Sequence, residues 1–294
     1  VSNFTFSPGL GNMMFQYASL RALAERQNAS LIVPVTTLLR RAFDITGVLV
    51  SDAVEEELIT ELRNTYTDVK RYYPDCCRYY PEAETVFNDG RSLQLYMGYF
   101  QSFRYFHPDR EDMIRREFKL LPAINERAHQ FLLTARKKMK ENSKMEGKFD
   151  SSNVTYVGMH VRRGIDVTWN LRNIEHGHKV ATKRYLTRAM DYYREKYRNV
   201  VFLLCSDDLK WCRENIEQEM ADVMTIDSGF REIDLAVMAM CNHTIMTIGT
   251  FSWWAAYLAG GEVIYYKEWP RKGSKLAEML RSEEYFLPNW IGMD

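Results

Sequence analysis

An α/β protein with parallel sheets is the fold class this sequence predicts. Three observations carry it. Strand-length apolar runs alternate with helix-length amphipathic runs, most regularly in the second half. Glycines punctuate the joins between them, at Gly9 and Gly11, at Gly164 and at Gly249. Some strand-like runs, such as 200–205, are apolar throughout, as strands covered by helices on both faces are. No internal repeat or low-complexity tract interrupts the pattern.

Taken in order, residues 4–12 read as a short strand, a Pro8-Gly9 turn and then Gly11-Asn12. A helix follows over about 13–27, with Met14, Tyr17, Ala18, Leu20, Ala22 and Leu23 at the 3.6-residue period. Residues 31–33 form a second strand that Pro34 stops. Residues 55–63 read as helix, 71–81 as an aperiodic Tyr/Pro/Cys loop, and 93–100 as a strand. Residues 102–121 turn helical from Pro108 onward, and 123–140 form a long amphipathic helix. The polar run 141–152 reads as an exposed linker. The domain boundary is drawn there, giving an N-terminal α/β domain over 1–150 and a C-terminal Rossmann-like domain over 151–294. In the second domain, strands at 154–161, 200–205, 223–226, 243–248 and 263–266 alternate with helices at 183–196, 209–217, 232–240 and 250–258. Residues 169–178 read as a polar loop after the first of these strands. Aromatics such as Tyr96, Tyr99, Trp169 and Trp269 read either as core and rim or as platforms for a sugar.

Composition narrows the function classes. Hydrophobic residues make up 46% and charged residues 27% of 294, which suits a soluble globular chain with a sizeable core. Lys+Arg and Asp+Glu both number 39, so the net charge is zero. A general nucleic-acid or anionic-membrane binder would carry a basic surplus, so both are excluded, although a local basic pocket is not. No stretch of about 18 apolar residues offers a membrane span, and no signal peptide is seen. Because the chain opens at Val1, it is expected to be a trimmed catalytic domain. Five cysteines, Cys76, Cys77, Cys205, Cys212 and Cys241, leave at least one unpaired within the chain, and none has zinc spacing. Cys205 and Cys241 read as small buried hydrophobes. Sequons at Asn3, Asn28, Asn153 and Asn242 hint at a secretory route.

Four motifs bear chemistry. Gly9-Leu10-Gly11-Asn12 lies between strand and helix, where glycines let backbone N–H groups approach a phosphate; its rival reading is a tight turn. His160-Val161-Arg162-Arg163 ends a strand. Side chains alternate there, so His160 and Arg162 share one side and Arg163 takes the other. Arginine's fixed fork of donors matches phosphate oxygens, and His160 is either a core histidine or a ligand neighbour. Gly249-Thr250-Phe251-Ser252 opens a helix, placing two hydroxyls where they cap it or meet a phosphate. Asp234 lies on an otherwise apolar helix, where a carboxylate is paired or functional. Ser206-Asp207-Asp208 ends another strand, as a helix cap or as a ribose or base contact. The chain has no D-x-D element, no evident metal-ligand cluster and no hydrolase triad. Any leaving diphosphate would then be neutralised by arginine and helix dipoles.

Together these residues resemble a known family. The shared pattern is Gly9-Leu10-Gly11-Asn12 with Gln16-Tyr17-Ala18, then Gly158-Met159-His160-Val161-Arg162-Arg163-Gly164. It continues with the run 241–251, the run 254–261 and the closing Phe286-Leu287-Pro288-Asn289-Trp290. It is similar to the galactoside α-1,2-fucosyltransferases, glycosyltransferase family 11, over essentially the whole chain. The resemblance implies a GT-B fold, with two Rossmann-like domains facing across a cleft. It implies GDP-fucose as donor, a terminal β-galactoside as acceptor through its 2-hydroxyl, inversion at the anomeric carbon, and neither metal nor cofactor. It also implies a Golgi-lumenal catalytic domain of a single-pass type II membrane protein, tethered by an N-terminal anchor not found in this chain.

By that resemblance Arg162 binds the β-phosphate, with His160 beside the nucleotide. Asp234 sits where related fucosyltransferases place a guanine-binding Asp, and Thr250, Phe251 and Ser252 fall on the donor loop. Gly9, Gly11, Asn12 and Asp207 complete the expected donor contacts. Two departures stand out. Ile165 separates Gly164 from Asp166, where the family pattern is R-R-G-D, and Met13 replaces a Gln. Asp166 is nevertheless the candidate base, acting with Arg162 as the expected catalytic pair. The rival readings are fucose transfer to another acceptor, such as the N-glycan core, and a degenerate GDP-sugar or glycan binder.

Overall fold

The computed structural model describes residues 9–65, 70–73, 75–84, 94–142, 150 and 153–294. The chain forms two compact units. One comprises Val1–Leu121 with Met279–Leu287, and the other Pro122–Glu278 with Pro288–Asp294. The division thus falls at Pro122 rather than in the polar run near residue 150. The long helix α4 (Pro122–Glu141) belongs to the second unit, because its apolar stripe Ala128, Leu132, Ala135 and Met139 is buried there, with the helix packed on Arg231–Ala239.

The first unit is α/β. Helix α1 (Leu10–Arg26) starts three residues earlier than its apolar period suggests, with Gly9 as its N-cap. Gly11 and Asn12 therefore lie in its first turn, not in a loop before it, and most of the strand expected over 4–12 falls outside the described residues. The helix is buried nearly all round, and its polar residues are used to fasten it. Gln16 Nε2 donates to Gly98 O at 2.8 Å and Ser19 Oγ to Phe100 O at 2.9 Å. Tyr17 OH donates to Glu117 Oε2 at 2.7 Å. The Gln16-Tyr17-Ala18 motif thus holds the fold.

Strand β1 (Ile32–Pro34) pairs in parallel with β2 (Val48–Val50), and helix α2 (Asp52–Thr65) follows. Strand β3 (Lys70–Tyr73) pairs in parallel with β4 (Leu95–Gly98). Residues 71–73 of this strand fall where an aperiodic loop was expected over 71–81; the ladder comes from a partner more than twenty residues away, which local periodicity does not report. Helix α3 (Glu111–Glu117) is shorter than the run from Pro108 suggests. It ends on Glu117, which is buried and accepts from Tyr17, Arg21, Thr46 N and Thr46 Oγ1. Cys76 and Cys77 form a vicinal disulfide, and Cys205, Cys212 and Cys241 are free and buried.

The second unit is one six-stranded parallel sheet. Its strands are β5 (Thr155–Val161), β6 (Val200–Ser206), β7 (Val223–Thr225), β8 (His243–Met246), β9 (Val263–Tyr266) and β10 (Ile291–Met293). They lie in the order β10-β9-β8-β5-β6-β7. Counted from β5, that is the 3-2-1-4-5-6 order of a dinucleotide-binding sheet, with the strand order reversing between β5 and β8. Strand β10 lies beyond the last strand the sequence pattern delivers. Short helices α5 (Ile165–Thr168) and α6 (Leu171–His176) occupy the stretch expected as a polar loop. Then come α7 (Lys183–Lys196), α8 (Leu209–Cys212), α9 (Arg231–Ala239) and α10 (Thr250–Ala259). Val157, Met159 and Val161 of β5 are fully buried. At Gly158 a Cβ would stand 3.4 Å from Met238 Cα, so α9 lies close against the strand. Among the described residues no helix is long and apolar enough to cross a membrane.

Candidate functional site

In an open parallel sheet, ligands dock past the carboxyl ends of the strands where the strand order reverses. Here that point lies between β5 and β8, and most of the expected second-unit residues meet around it. His160 and Arg162 come from the end of β5. The Thr247 hydroxyl ties the two strand ends, donating to His160 O and accepting from Arg162 N, both at 3.0 Å. The sequence singled out Gly249 to Ser252 but missed Thr247.

Arg162 is held by two carboxylates. One Nη pairs with Asp166 of α5 and the other with Asp207, just past β6. Asp207 also accepts from Arg163 N at 2.7 Å, so one side chain fixes both the guanidinium and the turn beneath it. Asp208, not Asp207, caps α8, accepting from Trp211 N at 3.1 Å. The Arg163 guanidinium leaves the Arg162 side and lies 3.8 Å over the Trp211 ring, a partner the sequence did not indicate. Ile165 accounts for the shifted Asp166: it points into solvent, 78% exposed, while Asp166 turns onto Arg162.

His160 is buried behind this pair. Its Nδ1 lies 2.5 Å from Ser252 Oγ, and its ring centroid 4.9 Å from that of Phe251. Ser252 donates its one hydroxyl hydrogen to Ile248 O at 3.1 Å. The hydrogen between Ser252 and His160 therefore sits on Nδ1, leaving Nε2 as the acceptor. Burial, with Arg162 adding to it, pushes the His160 pKa down to about 3, so the ring is neutral. Gly249 takes φ +89°, with open space where a Cβ would stand, a backbone state that suits glycine. Thr250, Phe251 and Ser252 form the first turn of α10, which supplies backbone N–H groups and the positive end of a helix dipole.

Asp234 makes its contacts elsewhere, on α9. It accepts from Ser228 Oγ at 2.6 Å, and burial raises its pKa. His178, which the sequence placed only in a loop, feels both Asp166 and Arg162; burial lowers its pKa, with His176 adding to that and Asp166 opposing it. Gly9, Gly11 and Asn12 lie in the first unit, where Asn12 Oδ1 accepts from Gln101 Nε2 at 2.9 Å. Among the described residues no group of three or more His, Cys, Asp or Glu is placed to hold a metal ion.

A doubly wound parallel sheet with a paired arginine at its switch point has the layout of the dinucleotide-binding α/β proteins. The chain belongs to glycosyl transferase family 11, whose family model matches residues 3–294. It is 34% identical over 290 residues to galactoside alpha-(1,2)-fucosyltransferase 2 of Sus scrofa, covering 97% of this chain and 77% of that one. It is 33% identical over 287 residues to galactoside alpha-(1,2)-fucosyltransferase 1 of Saimiri sciureus, covering 97% and 72%. Among solved structures, a mutant of Arabidopsis thaliana FUT1 in complex with GDP matches with a TM-score of 0.53 at 12% identity, covering 88% of this chain and 68% of that one. The α-1,6-fucosyltransferase NodZ soaked with GDP-fucose matches with a TM-score of 0.50 at 17% identity, covering 88% and 92%. These likenesses agree with the α/β fold of GT-B type expected from the sequence.

Proposed function

We propose that this protein transfers L-fucose from GDP-fucose to the 2-hydroxyl of a terminal β-galactoside, with inversion and without a metal ion. The observation that carries this reading is Arg162 at the switch point, its backbone tied to Thr247 ahead of α10, in a family 11 chain. The acceptor hydroxyl oxygen attacks the fucose anomeric carbon as the bond to the β-phosphate oxygen breaks. The bonding electrons leave on GDP, where Arg162 and the α10 N–H groups meet the growing charge. Arg162 must exchange its carboxylate partners for phosphate oxygens, and Asp166, so released, takes the acceptor proton. His160, Asp207, Asp234, Thr250, Phe251 and Ser252 serve the donor on the same unit. Action in the Golgi lumen is part of the proposal; exposed sequons at Asn28 and Asn153 support it.

The test is GDP release from GDP-fucose in the presence of EDTA, with and without lactose, followed by linkage analysis of the product. Release that depends on lactose and yields a 2-linked fucose is the expected result. Release only with an N-glycan core acceptor, or GDP binding without release on any acceptor, overturns it.

A further inference from the structure

The two short helices after Arg162 carry an unusual surface. Ile165, Trp169 and Leu171 are 78%, 79% and 71% exposed, the three most exposed large hydrophobic residues described. A lone exposed apolar residue is ordinary, but three within seven positions concentrate apolar surface on one short stretch of chain.

The backbone beneath the patch is fixed. Thr168 N and Oγ1 both donate to Gly164 O, at 3.1 and 3.0 Å. Trp169 N donates to Ile165 O at 3.0 Å. Asn173 Nδ2 reaches back from α6 to Asp166 O at 2.9 Å, and Asn170 caps α6. Trp169 thus stands on a held elbow three residues from Asp166, whose carboxylate meets Arg162.

We infer that Trp169 is the stacking platform for the acceptor sugar, with Ile165 and Leu171 widening its apolar floor. This rests on the fucosyl-transfer reading and adds where the acceptor lies. A pyranose has an apolar C–H face and a rim of hydroxyls. Trp169 offers a flat apolar face, and exposed Asn170 and Arg172 beside it offer hydrogen-bonding groups. The charge of the elbow favours a neutral sugar over an anionic bilayer: Arg172 is its one Lys or Arg, set against Asp166 and Glu175. A platform already fixed in place loses little freedom when a flexible glycan docks.

The test uses the whole protein, Trp169→Ala and Trp169→Phe. Trp169→Ala should raise the acceptor KM about tenfold, the cost of losing one aromatic anchor. Trp169→Phe should recover most of it, and the GDP dissociation constant and GDP-fucose KM should stay within about twofold in both. Binding is read separately from turnover. Trp253, Trp254, Trp269 and Trp290 are buried and Trp211 is half-buried under Arg163, and all five are common to both proteins, so the emission difference between the wild type and Trp169→Phe reports mainly the exposed ring. With GDP present, lactose should shield that emission from iodide. An unchanged acceptor KM in Trp169→Ala, or shielding by phosphatidylcholine–phosphatidylserine vesicles and not by lactose, overturns the platform. Turnover on lactose without shielding sinks the platform and leaves the transfer reading standing. Shielding without turnover does the reverse.

Discussion

His160 and Ser252 share a 2.5 Å hydrogen bond that joins the end of the central strand to the first turn of α10. Ser252 Oγ also lies 3.1 Å from Ile248 O, and a ring protonated on Nδ1 completes both bonds. Burial, with Arg162 adding to it, lowers the ring's proton affinity: the pKa is about 3 in the fold against an ordinary value of 6.5.

The sign of the pH effect follows. Between about pH 6.5 and 3 the unfolded chain takes up a proton at His160 that the folded chain refuses. The contribution is therefore full above 6.5 and is lost as pH falls, at up to about 1.4 kcal/mol per unit. Urea denaturation at pH 7.5 and pH 5 should show the wild type losing more stability on acidification than His160→Gln, which keeps a polar contact to Ser252 but does not titrate. Equal losses would show that the ring titrates normally.

Arg162 already has two anions before any donor arrives. Removing one competitor should help GDP: Asp166→Asn is expected to tighten GDP roughly three- to tenfold while acceptor-dependent turnover falls. Arg162→Ala should weaken GDP and reduce turnover roughly 10²–10³-fold. Calorimetry with GDP and a GDP-release assay read the two effects apart. Weaker GDP binding in Asp166→Asn would mean that Asp166 organises the arginine instead of competing for it.

Gly164 has an ordinary φ of −57°, so alanine meets no backbone strain there. Its Cβ would run into Asp207 Oδ2 and stand 3.0 Å from both Arg162 Nη1 and Asp166 Oδ1. Gly164→Ala should hold its melting temperature to within about 2 °C while losing about tenfold in GDP affinity. A large drop in melting temperature with normal GDP binding would count against this account.

Glu117 anchors the first unit. Buried, it accepts from Tyr17 OH, Arg21 and Thr46. Glu117→Ala strands those donors and should cost about 2–4 kcal/mol in urea denaturation. GDP affinity should be unchanged, because Arg162, Asp166 and Asp207 lie in the other unit. Loss of GDP binding in chain that remains folded would contradict that separation.

What the sequence displayed was local. Five strands of the second unit and the helices at 183–196, 232–240 and 250–258 are legible because each carries its own period and its own stop. The arginines stand out because two guanidiniums beside a glycine at a strand end have few other uses. Pairings between distant residues leave no such mark. Nothing near Asp207 says that its carboxylate reaches back to Arg162 on the neighbouring strand, or that Arg163 stacks on Trp211. The amphipathic period of α4 shows that it packs, but not against which unit. Strands β2 and β3, short and paired with distant partners, were likewise invisible. Ile165 looked like a fault in the motif; in the fold it is the exposed neighbour of an Asp166 that meets Arg162.

The return of Met279–Leu287 to the first unit bears on biosynthesis. Phe15 stacks at 6.1 Å on Tyr285, Ser102 Oγ donates to Glu284 O at 2.7 Å, and Tyr79 N donates to Glu284 Oε2 at 2.9 Å. The first unit thus takes pieces from residues made after nearly all of the second. On the ribosome, at roughly 5–20 residues per second, it waits through translation of nearly the entire second unit with part of its aromatic core uncovered. A chain stalled or cut before residue 279 would leave the first unit unfinished, a natural substrate for chaperones and proteases.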